Sequence, residues 1–102
     1  MPTALQQLAK QPTTGKIEHA TIAAANTEQS HTFPAGTRQF VVKASTGGKI
    51  LFTHNAGTSG STGLTIPAGS VYESPQFQAA AAKIIYFQSP IAGLVVELES
   101  WS

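Results

Sequence analysis

The sequence predicts an all-β fold: a two-sheet β-sandwich, jelly-roll-like, with about eight short strands and an extended N-terminal arm. Residues 38–44 and 93–101 alternate between apolar and polar side chains, which is the period that places successive residues on opposite faces of a sheet. Turn-forming Gly, Pro, Asn and Ser residues separate further short apolar runs, as in sandwiches and barrels. We therefore expect an arm at residues 1–15 and one β-sandwich domain at residues 16–102.

The strand at residues 38–44 is predicted most clearly, because Phe40, Val42 and Ala44 point one way while Gln39, Val41 and Lys43 point the other. A reversal at Thr46-Gly47-Gly48 follows it. Residues 49–54 then alternate in the same way, so we expect them to pair with the first strand as a β-hairpin.

Two further strands are predicted near the C-terminus. Residues 83–88 are apolar on both faces, which favours a central strand that is covered on both sides. Residues 93–101 alternate, so that Trp101 falls on the polar face. The apolar side chains expected to point inward there are Leu94, Val96 and Leu98. Weaker strand signals cover residues 16–24, 29–33, 64–66 and 70–73.

Three connecting segments have their own signals. A Pro-Ala-Gly turn occurs twice, at residues 34–36 and 67–69, and we expect Pro to take the second turn position and Gly the fourth. Residues 55–63 contain no large apolar side chain and are predicted to form a mobile surface loop. Residues 74–82 are predicted to form a short helix with Ser74 as N-cap.

Composition excludes several functional classes. Of the 102 residues, 11% are charged, and the formal net charge is +1. The six Lys and Arg residues are scattered singly, whereas nucleic-acid-binding proteins concentrate them on one face. No apolar run approaches the roughly 20 residues that a membrane span needs. We therefore expect no nucleic-acid partner, no membrane partner and synthesis in a cytoplasm.

The sequence offers few groups for catalysis. It contains neither Cys nor Asp, so a thiolate nucleophile and an aspartate-oriented triad are excluded. Glu97 and Glu99 share a strand face, which could hold paired carboxylates, but solvation of an exposed face is the favoured interpretation. The spacing of His19, His31 and His54 matches no metal site. We predict no enzyme activity, no catalytic or metal-ligating residue and no cofactor.

Three residues are predicted to bind partners. Leu5 and Leu8 share one face of a short helix that the Thr3 and Gln6 pair would cap, and such a helix needs a partner surface to be ordered. Trp101 lies beside the solvated Glu99, so its indole either covers a sheet edge or packs on a partner.

From residue 32 to residue 101 the chain resembles the small β-sandwich virion accessory proteins of tailed bacteriophages. The resemblance rests on the two Pro-Ala-Gly turns, on residues 40–43 and 50–52, and on the closing segments at residues 84–87 and 95–101. It implies a capsid decoration (cement) protein that bridges capsid subunits, located in the virion after synthesis in the host bacterial cytoplasm. The implied partners are the major capsid protein or other virion proteins, with a homo-oligomer, preferably a trimer.

Two alternatives stay open at this level. A neck, collar or tail component of the virion would use the same fold in a ring. A carbohydrate- or receptor-binding module would instead use the loop at residues 55–63 together with Trp101 to line a glycan site. In the decoration protein, the arm is expected to reach an adjacent subunit and to order there.

Overall fold

The computed structural model describes residues 14–45, 47–77 and 82–102, and these form eight strands in two antiparallel sheets. The strands are β1 (Gly15–Thr21), β2 (Gln29–Phe33), β3 (Gln39–Ala44), β4 (Ile50–Thr53), β5 (Leu64–Ile66), β6 (Val71–Glu73), β7 (Lys83–Gln88) and β8 (Val95–Trp101). β1 thus begins one residue before the predicted domain boundary. The predicted arm, with Leu5 and Leu8, lies outside the described residues up to position 13.

The strand order is that of a jelly roll. Sheet 1 has the order β1-β8-β3-β6, and sheet 2 has the order β2-β7-β4-β5. The first strand pairs with the last, the second with the seventh, the third with the sixth and the fourth with the fifth. This is one long hairpin rolled into two sheets. The predicted two-sheet, jelly-roll-like sandwich is therefore confirmed.

The core lies between the two sheets and is filled by alternate residues of the strands. Four phenylalanines dominate it by volume, and each is almost fully buried: Phe33, Phe40, Phe52 and Phe87. Aliphatic side chains fill the remaining space: Ile22, Val42, Ala44, Ile50, Ile66, Ile85, Leu94, Val96 and Leu98. The inward residues predicted for β3 and β8 are all among them. Burial of this apolar surface is the main stabilising term for a chain without disulfides.

The predicted β3–β4 hairpin is wrong. β3 pairs with β8 and β6 in sheet 1, whereas β4 pairs with β7 and β5 in sheet 2. The segment between them therefore crosses from one sheet to the other. The crossing segment passes close to the loop before β8, since a Cβ atom at Gly48 would lie 2.7 Å from the Cδ1 atom of Ile91.

β7 is central in its sheet, as predicted, but it is not covered on both faces. Ile85 and Phe87 are buried in the core, whereas Ile84 is 41% exposed and Tyr86 is half-buried on the outer side. A jelly roll has two layers, so each sheet has one solvent-facing side. Because β7 carries apolar residues on both faces, part of the outer face of sheet 2 exposes apolar side chains to solvent.

The helix predicted from Ser74 does not begin there. Ser74 donates its backbone N–H to the carbonyl of Phe40 (2.9 Å), and the Ser74 hydroxyl accepts from the Phe40 N–H (2.9 Å). Phe77 likewise donates to the carbonyl of Arg38 (2.8 Å). The serine side chain that would cap a helix instead extends the pairing along β3. Residues 78–81 lie outside the described residues, and the described residues include no helix suited to crossing a membrane.

Both Pro-Ala-Gly turns form, but the positions differ from those predicted. Pro34 accepts a hydrogen bond from the N–H of Thr37 (3.3 Å), and Pro67 accepts one from Ser70 (3.0 Å), so Pro is the first turn residue. Gly36 and Gly69 take the third position with φ of 93° and 77°. A positive φ at that position requires glycine in a type II turn. Each turn carries the chain from sheet 2 to sheet 1.

Candidate functional site

The interior of the sandwich opens to solvent between the edge strands β5 and β6. Phe52 on β4 and Leu64 on β5 are register partners, and Tyr72 on β6 pairs with the buried Val42, so all of these side chains point inward. Leu64 is nevertheless 50% exposed and Tyr72 is half-buried. The two edges do not close over these residues, and a pocket of about 330 Å³ remains.

Aromatic rings form the inner wall of this pocket. The ring centroids of Phe52 and Tyr72 lie 4.7 Å apart, with an interplanar angle of 51°. His54 packs edge-on against Phe52 at a centroid distance of 5.4 Å. The remaining lining residues bring polar groups and small side chains from the strand ends and the following loop: Thr53, Asn55, Thr62, Gly63 and Leu64.

The pocket is electrically neutral at physiological pH. Burial lowers the pKa of His54 below its usual value of 6.5, and the positive charge of Lys83 lowers it further. The imidazole is then uncharged near pH 7, with one nitrogen that donates and one that accepts. The other lining residues carry no formal charge. The pocket therefore offers hydrogen-bonding groups and aromatic surface without an ion.

The loop at residues 55–63 forms the outer wall of the pocket and is anchored, which differs from the predicted mobile loop. Glu28, just before β2, accepts hydrogen bonds from the N–H of Gly57 (2.6 Å), the N–H of Ser59 (3.1 Å) and the Ser59 hydroxyl (2.5 Å). Gln88 donates to the same hydroxyl (2.9 Å). Ser59 is consequently only 2% exposed. We call this set of bonds the Glu28 clasp.

The clasp depends on the charge of Glu28. The Ser59 hydroxyl and the Gly57 N–H lower the pKa of this carboxyl below 4.5, and they outweigh partial burial, which acts in the opposite direction. A carboxylate whose pKa is lower in the folded state stabilises that state at a pH above its unfolded value. This contribution is lost as the pH falls through the lowered pKa.

We expect the Glu28→Gln variant to lose protection of the loop amides. The amide exchange of Gly57 and Ser59, measured by NMR and corrected for intrinsic rates, should become several-fold faster near pH 7, because a neutral amide accepts more weakly than a carboxylate. The wild-type protein should show the same acceleration only below pH 4.5, while the variant stays insensitive there. Glu73→Gln, at an exposed position on β6, is the matched control. Equal exchange in Glu28→Gln and wild type would contradict the role of the clasp.

A second candidate surface is the outer face of sheet 1. Three apolar side chains on three different strands are exposed there, namely Ile17 (68%), Val71 (52%) and Val95 (40%). A shallow cleft of about 120 Å³ lies on this face. Lys43 and Glu97 cross it as an ion pair with 3.6 Å between Nζ and Oε2.

Trp101 is the one predicted partner-binding residue that the structure describes. Its ring lies over Gly15 on the neighbouring edge strand, where a Cβ atom would come within 3.0 Å of the indole carbons. The indole N–H donates to Glu99 (2.7 Å). Trp101 therefore packs over the first residue of β1, and it is not among the residues that line the pocket. The glycan site predicted from the loop and Trp101 together is thus not assembled in that form.

The candidate catalytic and metal-binding residues are not gathered at one place. Glu97 is paired with Lys43, and Glu99 with the indole of Trp101. His31 Nε2 lies 3.6 Å from Glu18 Oε1 between the sheets, at the side of β1 and β2, whereas His54 lies at the pocket. Within the described part of the chain, no three His, Cys, Asp or Glu residues are placed to hold a metal ion.

Comparisons with known proteins add one structural similarity. No protein-family model matches the chain. No curated protein matches it either. Among solved structures, the solution NMR structure of a de novo designed double-stranded β-helix is similar to 88% of this chain and 100% of its own, with 13% sequence identity and a TM-score of 0.48.

Proposed function

We propose that the chain is a non-enzymatic structural protein of tailed-phage particles, namely a capsid decoration (cement) protein that stabilises the head by bridging capsid subunits. The observation that carries the proposal is the exposed apolar outer face of sheet 1, with Ile17, Val71 and Val95 at its surface. The jelly roll also suits the role, since this fold is frequent in viral structural proteins.

The composition of this face supports docking onto another protein. Exposed apolar side chains that lie together mark interaction surfaces more often than isolated ones do. The Lys43–Glu97 pair compensates its own charge, and the remaining charged groups on this face are the carboxylates of Glu73 and Glu99. With a net charge of only +1, the chain has little long-range repulsion to overcome on packing against neutral protein subunits.

The outer face of sheet 1 is a better docking surface than the free edge of β1. β1 is a seven-residue edge strand, long enough to accept an added strand. Lys16 and Glu18, however, occupy inner-face positions on β1, because their register partners Ser100 and Leu98 are buried. Inward charges on an edge strand discourage pairing with a further strand. We therefore assign binding to the outer face and not to edge pairing.

The proposed partners are the major capsid protein or other virion proteins, with this chain as a homo-oligomer, preferably a trimer, in the virion. Thr14 lies beside the end of β8, since Thr14 and Ser102 exchange two backbone hydrogen bonds (3.0 and 2.9 Å). A partner-binding role for Leu5 and Leu8 implies that the predicted arm binds an adjacent subunit. Trp101, half-buried on the same outer face, would contribute the accessible part of its ring.

We expect the double variant Ile17→Lys, Val71→Lys to bind particles at least tenfold more weakly than wild type, because two charges would have to be desolvated in the interface. Particles that lack the protein are incubated with purified chain, and the bound copies are counted by quantitative gel analysis. Ile84→Lys is the matched control, since Ile84 is similarly exposed but lies on the outer face of sheet 2.

The same particles test the function itself. Particles without the protein should lose genome at a lower temperature and after milder osmotic shock, and added wild-type chain should restore resistance. Unchanged resistance would contradict a cement role. Electron microscopy of labelled particles would then separate the alternatives, because a neck, collar or tail component occupies a single ring, whereas a decoration protein covers the head.

A further inference from the structure

We propose that the pocket between β4, β5 and β6 binds a single neutral saccharide ring, such as the terminal sugar of a glycan. This site lies apart from the outer face of sheet 1 and does not depend on the proposed virion role. It differs from the glycan site expected from the sequence, because Tyr72 and His54 replace Trp101 in it.

The first step is the exposure of side chains that point toward the core. Leu64 is 50% exposed although its register partner Phe52 is 2% exposed. The next inward-facing pair, two residues further along each strand, is Ile50 and Ile66, and both of these side chains are buried. The core is therefore covered at the Ile50–Ile66 pair and open to solvent beside the Phe52–Leu64 pair. A ligand with an apolar face would remove Leu64 and the edge of Tyr72 from water.

The second step is the arrangement of aromatic surface beside hydrogen-bonding groups. Sugar rings present a patch of C–H groups that packs on aromatic rings, and hydroxyls that need both donors and acceptors. Tyr72 and His54 supply the rings, and Asn55 and Thr62 of the loop, whose side chains carry an amide and a hydroxyl, also line the pocket. These amide, hydroxyl and neutral imidazole groups both donate and accept.

The third step concerns charge and size. A phosphorylated or acidic ligand requires a cationic partner, and no Lys or Arg lines the pocket. The volume of about 330 Å³ is at the small end of the roughly 300–1,000 Å³ typical of ligand pockets. One ring fits this space, and the rest of a glycan would extend into solvent between the edges of β5 and β6.

The fourth step is preorganisation. The backbone carbonyl of Asn55 accepts hydrogen bonds from the Thr58 N–H (3.3 Å) and from the Thr58 hydroxyl (2.7 Å). The hydroxyls of Thr58 and Thr53 are also hydrogen-bonded to each other (2.9 Å). The Glu28 clasp holds the middle of the same loop. A wall fixed in advance loses little conformational freedom on binding. Glu28 is thus a positioning residue for the site, since it acts through the loop.

NMR titration of the full chain tests the proposal. The probes are the methyl glycosides of glucose, galactose, mannose and N-acetylglucosamine, at concentrations up to tens of millimolar. We expect at least one of them to shift amide signals that cluster at residues 53–55, 62–64 and 72. If none of the four shifts these signals, or if free nucleosides shift them and no glycoside does, the assignment is overturned.

Two conservative variants locate the site. Thr62→Val removes only a hydroxyl and Asn55→Ala only an amide, so each should weaken binding about three- to tenfold, the value of one hydrogen bond. Ser61→Ala, one residue away on the exposed side of the loop, should leave the affinity unchanged. Thermal unfolding confirms that all three variants fold. Full affinity in the Asn55→Ala, Thr62→Val double variant would overturn the site.

Discussion

Replacement of Phe40 by Ala should destabilise the protein by about 3–5 kcal/mol, the range for truncation of a buried phenylalanine. Phe40 is 1% exposed and contacts rings from both sheets. It stacks on Phe33 at 4.9 Å, and the rings of Phe52 and Tyr72 lie 6.3 and 6.1 Å away. Strands in rigid sheets cannot collapse into the space that the ring leaves, so a cavity should remain.

Urea denaturation followed by circular dichroism measures this loss as a fall in the midpoint. Phe77→Ala is the matched control, because this substitution removes the same atoms from a residue that is only half-buried. The ring centroid of Phe77 lies 6.1 Å from that of Phe40. Its midpoint should fall much less. If the two variants were equally destabilised, Phe40 would not be the centre of the packing between the sheets.

Alternation in the sequence predicted which side of β3 and β8 is buried. The inward residues of β3 and β8 are those expected, and the bounds predicted for the short strands β2 and β5 coincide with the observed ones. This success has a physical cause, since a period of two is dictated by the pleat and does not depend on the neighbouring strand.

The same alternation carries no information about which strands pair. Two strands joined by Gly47 and Gly48 looked like a hairpin, yet a residue pattern is satisfied equally by a partner in the same sheet or in the opposite one. In the jelly roll β3 pairs with β8 and β6, whereas β4 pairs with β7 and β5, so the two strands lie in opposite sheets. Long-range strand pairing therefore overrode the local turn signal on which the prediction of a β3–β4 hairpin rested.

The candidate site was predictable only in part. The loop at residues 55–63 was recognised as a possible glycan contact, and Asn55, Thr62 and Gly63 do line the pocket. Leu64 and Tyr72 were missed, since their exposure depends on the gap between the β5 and β6 edges. The Glu28 clasp was also missed, because its partners are 29 and 31 residues away and no local motif marks them.

Gly63 lines the pocket and is also packed closely against neighbouring backbone atoms. A Cβ atom at this position would lie 2.6 Å from the Ser59 carbonyl oxygen and 2.8 Å from that of Phe52. Both contacts are with backbone, which cannot rotate away as a side chain can. Gly60, in the same loop, would meet only the flexible end of Gln88 at 2.8 Å.

We therefore expect Gly63→Ala to destabilise the protein by about 1–3 kcal/mol, the cost of overpacking at a closely packed site. It should also abolish saccharide-induced NMR shifts, since the loop can admit the methyl group only by moving the pocket wall away from Phe52. Gly60→Ala should lower the urea midpoint less, because Gln88 can swing aside at the cost of its one hydrogen bond to the Ser59 hydroxyl. Thermal and urea unfolding of both variants, followed by the glycoside titration, measure the two effects. A Gly63→Ala protein as stable as Gly60→Ala would mean that the loop is less tightly held between Ser59 and Phe52 than these distances require.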